Sequence, residues 1–263
     1  MTAQVSPAMI ELDHLTFSYT KGKPVFSDFS WQVKRGETWS ILGMSGCGKT
    51  TLLSLLAGLL HADSGTIKIA GTVLARPRPL TGLILQDYGL LPWATVRENA
   101  LLGMRLRDFY GPDGTHAPKE RVALDEGMVD DWLKRLQIDS VANQYPNAVS
   151  GGQRQRTAIA RTLSLKPDLL LMDEPFSSLD AIISEDLQDL TLQLCREQGI
   201  TLVAITHSIE EAAVLGQKVL LLGRIPQTKA HIIENPESRM EGYRYSTEYL
   251  RVVSLLREEL AAL

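Results

Sequence analysis

The segment from Gly43 to Thr50 combines three glycines with a lysine and a threonine, at a spacing that suits phosphate binding. Glycines let the backbone curl so that successive N–H groups point inward at an anion. Lys49 can reach the outer phosphates of a nucleotide, and the Thr50 hydroxyl is placed to coordinate Mg²⁺. The segment therefore predicts binding of a nucleoside triphosphate. The predicted binding loop comprises Gly43, Met44, Ser45, Gly46, Cys47, Gly48, Lys49, Thr50 and Thr51.

Regular elements are predicted on both sides of this loop. Residues 37–42 have the pattern of a buried strand, and a helix is expected to begin near Lys49, where its positive dipole end would face the phosphates. One face of that helix is expected to carry Leu52, Leu55, Leu56, Leu59 and Leu60. A glycine-rich turn without a ligand is the alternative interpretation, and the strand–loop–helix context disfavours it.

Two acidic residues end a second apolar stretch. Residues 169–172 read as a buried strand, and Asp173 and Glu174 follow at the sheet edge where ligands bind. Asp173 is expected to orient Mg²⁺, and Glu174 to accept a proton from an attacking water. A solvated strand end is the alternative interpretation. Because this strand follows the phosphate loop in the chain, the interpretation of Asp173 and Glu174 as site residues is favoured.

A second possible anion site is formed by Ser150, Gly151, Gly152 and Gln153, just before a helix expected over 154–164. A serine and two glycines at a helix N-terminus present free N–H groups to an anion. A glycine turn that only caps the helix is the alternative interpretation. One nucleotide-binding fold has no evident use for two distant phosphate sites, unless the second site serves the ATP of another molecule.

The composition of the 263 residues limits the class of protein. Hydrophobic residues make up 44% of the chain, and the formal net charge of −4 disfavours a nucleic-acid partner. Cys47 and Cys195 are the two cysteines, which predicts a reducing cytosol rather than a disulfide. No apolar run reaches the length of a membrane span, and the first residues lack a signal-peptide pattern. We expect a soluble protein that reaches a membrane only through a partner.

Strands and helices are predicted to alternate along much of the chain. Strands are expected at 9–18, 30–33, 65–73, 169–172, 200–205 and 218–222. Helices are expected between about 95 and 136, broken by a loop at 110–115. This order predicts an α/β nucleotide-binding core, residues 1–233, with a helical insertion at about 87–160 and a helical tail over 234–263.

The tail carries an apolar stripe at helical spacing. It consists of Tyr249, Leu250, Val253, Leu256 and Leu260. A helix that packs back on the core is the favoured interpretation. A docking helix for a partner or for a second copy of the chain is the alternative.

Taken in order, these segments resemble the ATP-binding-cassette (ABC) ATPases over nearly the full length of the chain. The resemblance adds Gln86, the loop over 177–180 that ends in Asp180, and His207. Tyr19 matches the aromatic residue that stacks on adenine in this family, although a core or strand-edge tyrosine is the alternative. The family implies a P-loop NTPase core of α/β class, with an antiparallel β subdomain and an inserted α-helical subdomain.

Within the superfamily, residues 86–99 and 206–212 look like the ATPases of nitrate, aliphatic sulfonate and taurine importers. Four positions depart from the commonest family pattern, namely Met44, Val149, Ser178 and Ser208. Ser178 stands where alanine is more usual, and Ser208 follows His207 where aspartate is common. Ser208 can still cap the next helix, and Glu211 three residues later is expected to complete a capping box.

The resemblance implies a mechanism in which two copies sandwich two ATP molecules. Each phosphate loop faces the segment 150–153 of the other copy. Catalysis is then assigned to Glu174 as base, His207 at the γ-phosphate, Lys49 and Gln86. Asp180 couples the two sites across the interface. The implied Mg²⁺ ligands are Thr50, Gln86 and Asp173.

The implied partners are a second copy, a membrane permease and, indirectly, an extracytoplasmic solute-binding protein. The chain would sit on the cytoplasmic face of the cell membrane and power uptake of a small solute. The ATPase subunit of an exporter or of a lipid-transport system has the same ATP-hydrolysing domain and stays open as an alternative. A soluble ABC ATPase without transport activity is a further alternative. A small-molecule kinase shares the phosphate loop but has no need of the segment 150–153.

Overall fold

The computed structural model describes residues 8–110 and 125–263, and these form two compact units. The first unit contains residues 8–77, 171–174 and 192–263, and the second contains 78–110, 125–170 and 175–191. The strands are β1 (Ala8–Thr20), β2 (Lys23–Lys34), β3 (Thr38–Gly43), β4 (Ser64–Ile69), β5 (Thr72–Val73), β6 (Thr81–Ile84), β7 (Leu169–Asp173), β8 (Thr201–Thr206), β9 (Lys218–Leu222) and β10 (His231–Glu234). The helices are α1 (Lys49–Leu56), α2 (Val96–Tyr110), α3 (Glu126–Arg135), α4 (Gly151–Leu163), α5 (Ala181–Gln198), α6 (Ile209–Leu215) and α7 (Thr247–Ala262).

An antiparallel sheet in the first unit has the strand order β2-β1-β4-β5. Leu12 of β1 lies opposite Trp31 on one side and Ile67 on the other. The single strand expected over 65–73 is wrong, because Ala70 and Gly71 take positive φ angles of 52° and 78°. This turn reverses the chain, so that β5 pairs back on β4.

A second sheet of the first unit has the order β10-β9-β3-β8-β7, where β7 contributes residues 171–173. Strand β3 is parallel to both β8 and β9, and β10 is antiparallel to β9. Every residue of β3 and β8 is buried, as expected for parallel strands covered on both faces. Their carboxyl ends therefore share one edge of the sheet, where the site residues follow.

Helix α1 starts at Lys49 as predicted but is shorter than expected. Leu52, Leu55 and Leu56 are completely buried, whereas Leu59 is 56% exposed. The helix ends at Leu56 because Gly58 adopts a φ of +73°, which a helix cannot continue. The leucine stripe was therefore predicted correctly only within the helix.

Helix α7 packs back on the first unit, as the favoured interpretation of the tail expects. Val252, Val253 and Leu256 are buried in a cluster with Leu42 and Leu221. Leu250, however, is 63% exposed and faces away from this cluster. The division of the chain at residue 233 into a core and a tail stays a prediction.

The second unit contains α2, α3, α4, residues 181–191 of α5, and β6, which neighbours the start of β7. The carbonyl of Leu80 accepts hydrogen bonds from the amides of Asp168 and Leu169. Arg97 of α2 donates to Asp130 of α3 at 2.7 Å and joins the two helices. The loop expected at 110–115 begins at the last residue of α2, and its remainder lies outside the described residues. None of the helices within 8–110 and 125–263 combines the length and apolarity needed to cross a bilayer.

Candidate functional site

The loop between β3 and α1 has a backbone that requires glycine at three positions. A Cβ on Gly43 would lie 2.5 Å from the carbonyl oxygen of Leu222 and 2.6 Å from the sulfur of Cys47. Gly46 and Gly48 adopt φ angles of +80° and +103°, which side chains disfavour. The loop therefore closes tightly and ends at the N-terminus of α1, which no side chain in the described part of the chain caps. Uncapped N–H groups at this point suit an anionic ligand.

Lys49 lies at the centre of this loop, with only 7% of its surface exposed. Its Nζ donates to the carbonyl oxygens of Gly43 at 2.7 Å and Met44 at 3.0 Å. An ammonium group has three donors, so one donor remains after these two bonds. The loop thus holds a buried positive charge that still has a hydrogen bond to give to a phosphate.

The Thr50 hydroxyl and the Asp173 carboxylate lie together as two oxygens of the kind that bind hard metal ions. Asp173 ends β7 and is hydrogen-bonded to Thr50. Burial raises the pKa of Asp173, and the Glu174 charge raises it further, while the Thr50 hydrogen bond and the Lys49 charge act in the opposite direction. Within 8–110 and 125–263, no group of three or more His, Cys, Asp or Glu could hold a metal. Two oxygen ligands fit Mg²⁺, which proteins bind through one or two side chains together with substrate phosphates.

Glu174 and His207 form the second pair of the site. The Nδ1 atom of His207 lies 3.1 Å from Oε2 of Glu174, and the side chains are 61% and 22% exposed respectively. Glu174 has a φ of +45°, which is unusual for a residue with a side chain, and its amide donates to the carbonyl of Ile205 at 3.0 Å. Strained backbone of this kind persists where surrounding structure enforces it, often at functional sites. The carboxylate is thereby held at the open side of the phosphate loop.

A buried acid behind His207 was not predicted as part of the site. Glu211 is 8% exposed, and its Oε2 accepts from the Thr206 hydroxyl at 2.6 Å. Burial raises the pKa of Glu211 to about 7. The expected capping box is only half right. Ser208 caps the helix by accepting from the Glu211 amide at 3.1 Å, but the amide of Ser208 donates to Thr206, not to the Glu211 carboxylate.

Tyr19, at the end of β1, is 66% exposed, which excludes the alternative of a core tyrosine. Its hydroxyl lies 3.2 Å from Oγ1 of Thr51, and its ring stands at 86° to that of Phe17. A strand-edge tyrosine fits these contacts as well as an adenine platform does, so base stacking stays a prediction.

The site residues of the first unit described above line a cleft of about 720 Å³. Two residues that were not predicted, Val25 and Ile225, contribute apolar walls. Another, Gln227, supports the loop by donating to the carbonyl of Cys47 at 3.1 Å. The cleft is lined by Tyr19, Val25, Ser45, Gly46, Gly48, Lys49, Thr50, Thr51, Glu174, His207 and Ile225.

The second unit holds the segment 150–153, Gln86 and Asp180. Helix α4 begins at Gly151, three residues earlier than expected, because Ser150 caps it. The Ser150 oxygen accepts from the Gln153 amide at 3.3 Å, and the Gln153 side chain accepts from the Ser150 amide at 2.9 Å. The segment is therefore a capped helix start, and the Ser150 hydroxyl proton stays available for donation. Gln86 lies in an exposed turn after β6, and Asp180 directly precedes α5.

Comparison with known proteins identifies the family. A family model described as ABC transporter matches residues 26–177, more than half of the chain. The chain belongs to the ABC transporter family.

Several relatives have been named. The chain is 38% identical over 218 residues to the taurine import ATP-binding protein TauB of Escherichia coli K12, covering 83% of this chain and 81% of the relative. It is 37% identical over 219 residues to the nitrate import ATP-binding protein NrtC of Synechococcus elongatus, covering 81% of this chain. The bicarbonate transport ATP-binding protein CmpC of the same organism is 37% identical over 225 residues, covering 83% of this chain. Our chain spans 32% of the length of each of the last two relatives.

Solved structures of ABC proteins share the fold. CbiO1 of Clostridium perfringens, part of the ABC transporter complex CbiONQ, superposes with a TM-score of 0.74 at 24% identity over 95% of this chain and 99% of that one. A dimeric ATP-binding cassette bound to ADP and Pi in a post-hydrolysis state gives a TM-score of 0.71 at 27% identity, over 86% of this chain and 98% of that one. The predicted ABC ATPase family, fold and enzyme class are therefore confirmed, whereas the roles of individual residues stay predictions.

Proposed function

We propose that this ABC ATPase hydrolyses ATP to power the uptake of a small solute through a membrane permease. The observation that carries the hydrolysis is the Glu174–His207 pair, which lines the same cleft as Lys49 and its loop. Transfer of a phosphoryl group to water needs a base, an orienting group and a phosphate-binding cation, and this cleft contains all three.

Each residue of the cleft has a separate role in binding or hydrolysis. Lys49 and the backbone of 43–48 hold the outer phosphates of ATP, while Tyr19 stacks on the adenine. Glu174 accepts a proton from the water that attacks the γ-phosphate. His207 keeps that water and the γ-phosphate in line, and its contact with Glu174 fixes the position of the base.

The oxygens of Thr50 and Asp173 would hold Mg²⁺, and Gln86 stays a predicted further ligand. The ion would supply positive charge that offsets the charge of the phosphates. Asp173 must be ionised for this. Burial raises the pKa of Asp173, the Thr50 hydrogen bond and the Lys49 charge only partly oppose that rise, and a bound cation would favour the charged form further.

Two copies of the chain complete each site. The segment 150–153 of one copy, with the Ser150 hydroxyl and the N-terminal amides of α4, binds the γ-phosphate held by the loop of the other. Asp180 of each copy links the two sites. Because this bridge exists only while the γ-phosphate is present, hydrolysis lets the copies separate.

Cross-linking between differently tagged copies tests this arrangement. One copy carries Ser45→Cys and the other carries Ser150→Cys, both in the Glu174→Gln background that retains ATP. Position 150 is chosen because a Cβ at Gly151 would press on Leu179 at 3.0 Å. We expect ATP-dependent cross-links between the two tags. Equal cross-linking with and without ATP, or cross-links that form only within single copies, would contradict the sandwich.

The solute is proposed to be a small anion or zwitterion of the nitrate, sulfonate or taurine type. The support is the resemblance of residues 86–99 and the names of the relatives, which import taurine or nitrate or transport bicarbonate. We place the chain on the cytoplasmic face of the membrane, bound to permease subunits that receive solute from an external binding protein.

Uptake measurements in the native host test the importer. A strain that lacks the gene is complemented with wild type or with Glu174→Gln, and uptake of labelled taurine, nitrate and bicarbonate is followed. We expect wild type, but not Glu174→Gln, to restore uptake of one of them. Active ATPase with unchanged uptake of all three would contradict this solute assignment.

A further inference from the structure

We propose that Tyr88 and Ser178 form a positioning pair that couples the turn after Gln86 to the loop before Asp180. The pair adds to the proposed function and rests on it, since Gln86 and Asp180 have their roles only in an ATPase. Every contact in this argument lies within the second unit.

The two side chains are joined by a hydrogen bond. The Tyr88 hydroxyl lies 2.9 Å from Oγ of Ser178, across a sequence separation of 90 residues. Tyr88 is only 5% exposed and has a φ of +64°, so its side chain is directed inward from a tight turn. Ser178 itself is exposed, so the bond is only partly buried. It needs both hydroxyls, because alanine at 178 or phenylalanine at 88 cannot form it.

The turn that carries Tyr88 is also fixed from the side of α4. Arg161 donates to the carbonyls of Tyr88 at 2.6 Å and Gly89 at 2.7 Å. The amide of Gly89 donates to the Asp87 carboxylate at 3.2 Å. The turn therefore has little freedom to move independently of α4, the helix that begins with the segment 150–153.

The loop that carries Ser178 packs on the start of the same helix. A Cβ on Gly151 would meet Leu179 at 3.0 Å, and one on Gly152 would meet Ile183 at 2.8 Å. Glycines at 151 and 152 thus allow this close approach. The Asp180 loop therefore contacts two other segments that are expected to reach nucleotide. Ser178 bonds to the Gln86 turn, and Leu179 lies against the start of α4.

Ser178 links the Gln86 turn to the Asp180 loop by a direct side-chain hydrogen bond to Tyr88. We infer that displacement of the turn is passed to the Asp180 loop through this bond. Its loss is expected to lower kcat and leave ATP affinity unchanged, because the phosphate loop and Lys49 take no part in it.

A double-mutant cycle on the full-length protein measures the coupling. The variants are Tyr88→Phe, Ser178→Ala and the double variant, each assayed for kcat and KM with Mg-ATP. We expect each single change to lower kcat by about threefold to tenfold with KM within about twofold, and the double change to add nothing further. Ser178→Thr, which keeps a hydroxyl, is expected to restore most of the activity. Tyr145→Phe, at a half-exposed tyrosine of the same unit, is the matched control.

Hydrogen–deuterium exchange of the nucleotide-free protein tests the link without relying on activity. Ser178→Ala is expected to speed exchange in residues 85–91, and Tyr88→Phe to speed exchange in 176–181, because coupling is reciprocal. Changes confined to the mutated segment, or kcat effects that multiply in the double variant, would overturn the pair. If wild type hydrolyses no ATP, the proposed function fails and takes the kinetic role of the pair with it. If wild type is active and the cycle shows no coupling, the pair alone fails.

Discussion

The Nδ1 atom of His207 lies 3.1 Å from Oε2 of Glu174, although the two residues are 33 positions apart in the sequence. They follow β8 and β7, whose carboxyl ends share one edge of the sheet. Glu174 is held in left-handed backbone with its amide bonded to the end of β8 at Ile205. The geometry thus joins a carboxylate to an imidazole beside the phosphate loop, and this pair is the basis of the first prediction.

Replacing Glu174 by Gln is expected to lower ATP hydrolysis by about a hundredfold or more, because an amide cannot accept the proton from water. ATP binding is expected to persist, since the loop and Lys49 are untouched. Single-turnover hydrolysis and equilibrium binding of a fluorescent ATP analogue measure the two effects. Unchanged turnover would remove Glu174 as the base.

Lys49→Ala is expected to abolish ATP binding, because the buried ammonium is the positive charge at the centre of the loop. Lys49→Arg is expected to fail as well, since a guanidinium is larger and its donors point in fixed directions. Thermal unfolding checks that both variants fold. The exposed Lys23→Ala serves as the control, and normal ATP affinity in Lys49→Ala would contradict the phosphate loop.

Glu211 is expected to make stability depend on pH. Its pKa is about 7 in the folded protein against an ordinary value of 4.5, so between these values the folded state binds a proton that the unfolded state has lost. The free energy of unfolding therefore falls as pH rises from 4.5 to 7, by about 3 kcal/mol, and this contribution is constant above pH 7.

Glu211→Gln keeps the hydrogen bond to Thr206 and removes this titration. Compared with wild type, the variant is expected to gain stability across that pH window and to remain more stable at pH 8. Urea unfolding at several pH values measures the difference. Glu210→Gln, one position earlier and 56% exposed, is the control and should not change the slope. A parallel pH dependence in wild type and Glu211→Gln would show that Glu211 ionises normally.

Tyr19→Ala is expected to weaken ATP binding by about tenfold, through loss of stacking on the base. Tyr19→Trp keeps an aromatic face and is expected to bind ATP nearly as well as wild type. Competition with inorganic triphosphate, which has no base, gives the matched measurement. If Tyr19→Ala weakens ATP and triphosphate equally, the residue acts through its 3.2 Å contact with Thr51 and not through adenine.

The interior elements that lead to the cleft were predictable because they are set by local pattern. Strand β9 was predicted with its observed bounds, and β7 was predicted to within one residue. The observed ends of helices and strands differ from the predicted ends where a single capping or turn residue sets the end, as at Ser150, Gly58 and Ala70. A turn of this kind gives a weak periodic signal, so its position could not be read from hydrophobicity alone.

The amino-acid sequence by itself determined the family, the phosphate loop and the strand that delivers Asp173 and Glu174, because each depends on residues adjacent along the chain. The tertiary structure decided which distant side chains meet. It turned Glu211 toward Thr206 instead of toward its own helix cap, and it brought Tyr88 to Ser178. Such contacts depend on how strands and helices stack, and no local spacing encodes the distance between atoms that the chain separates by 90 residues.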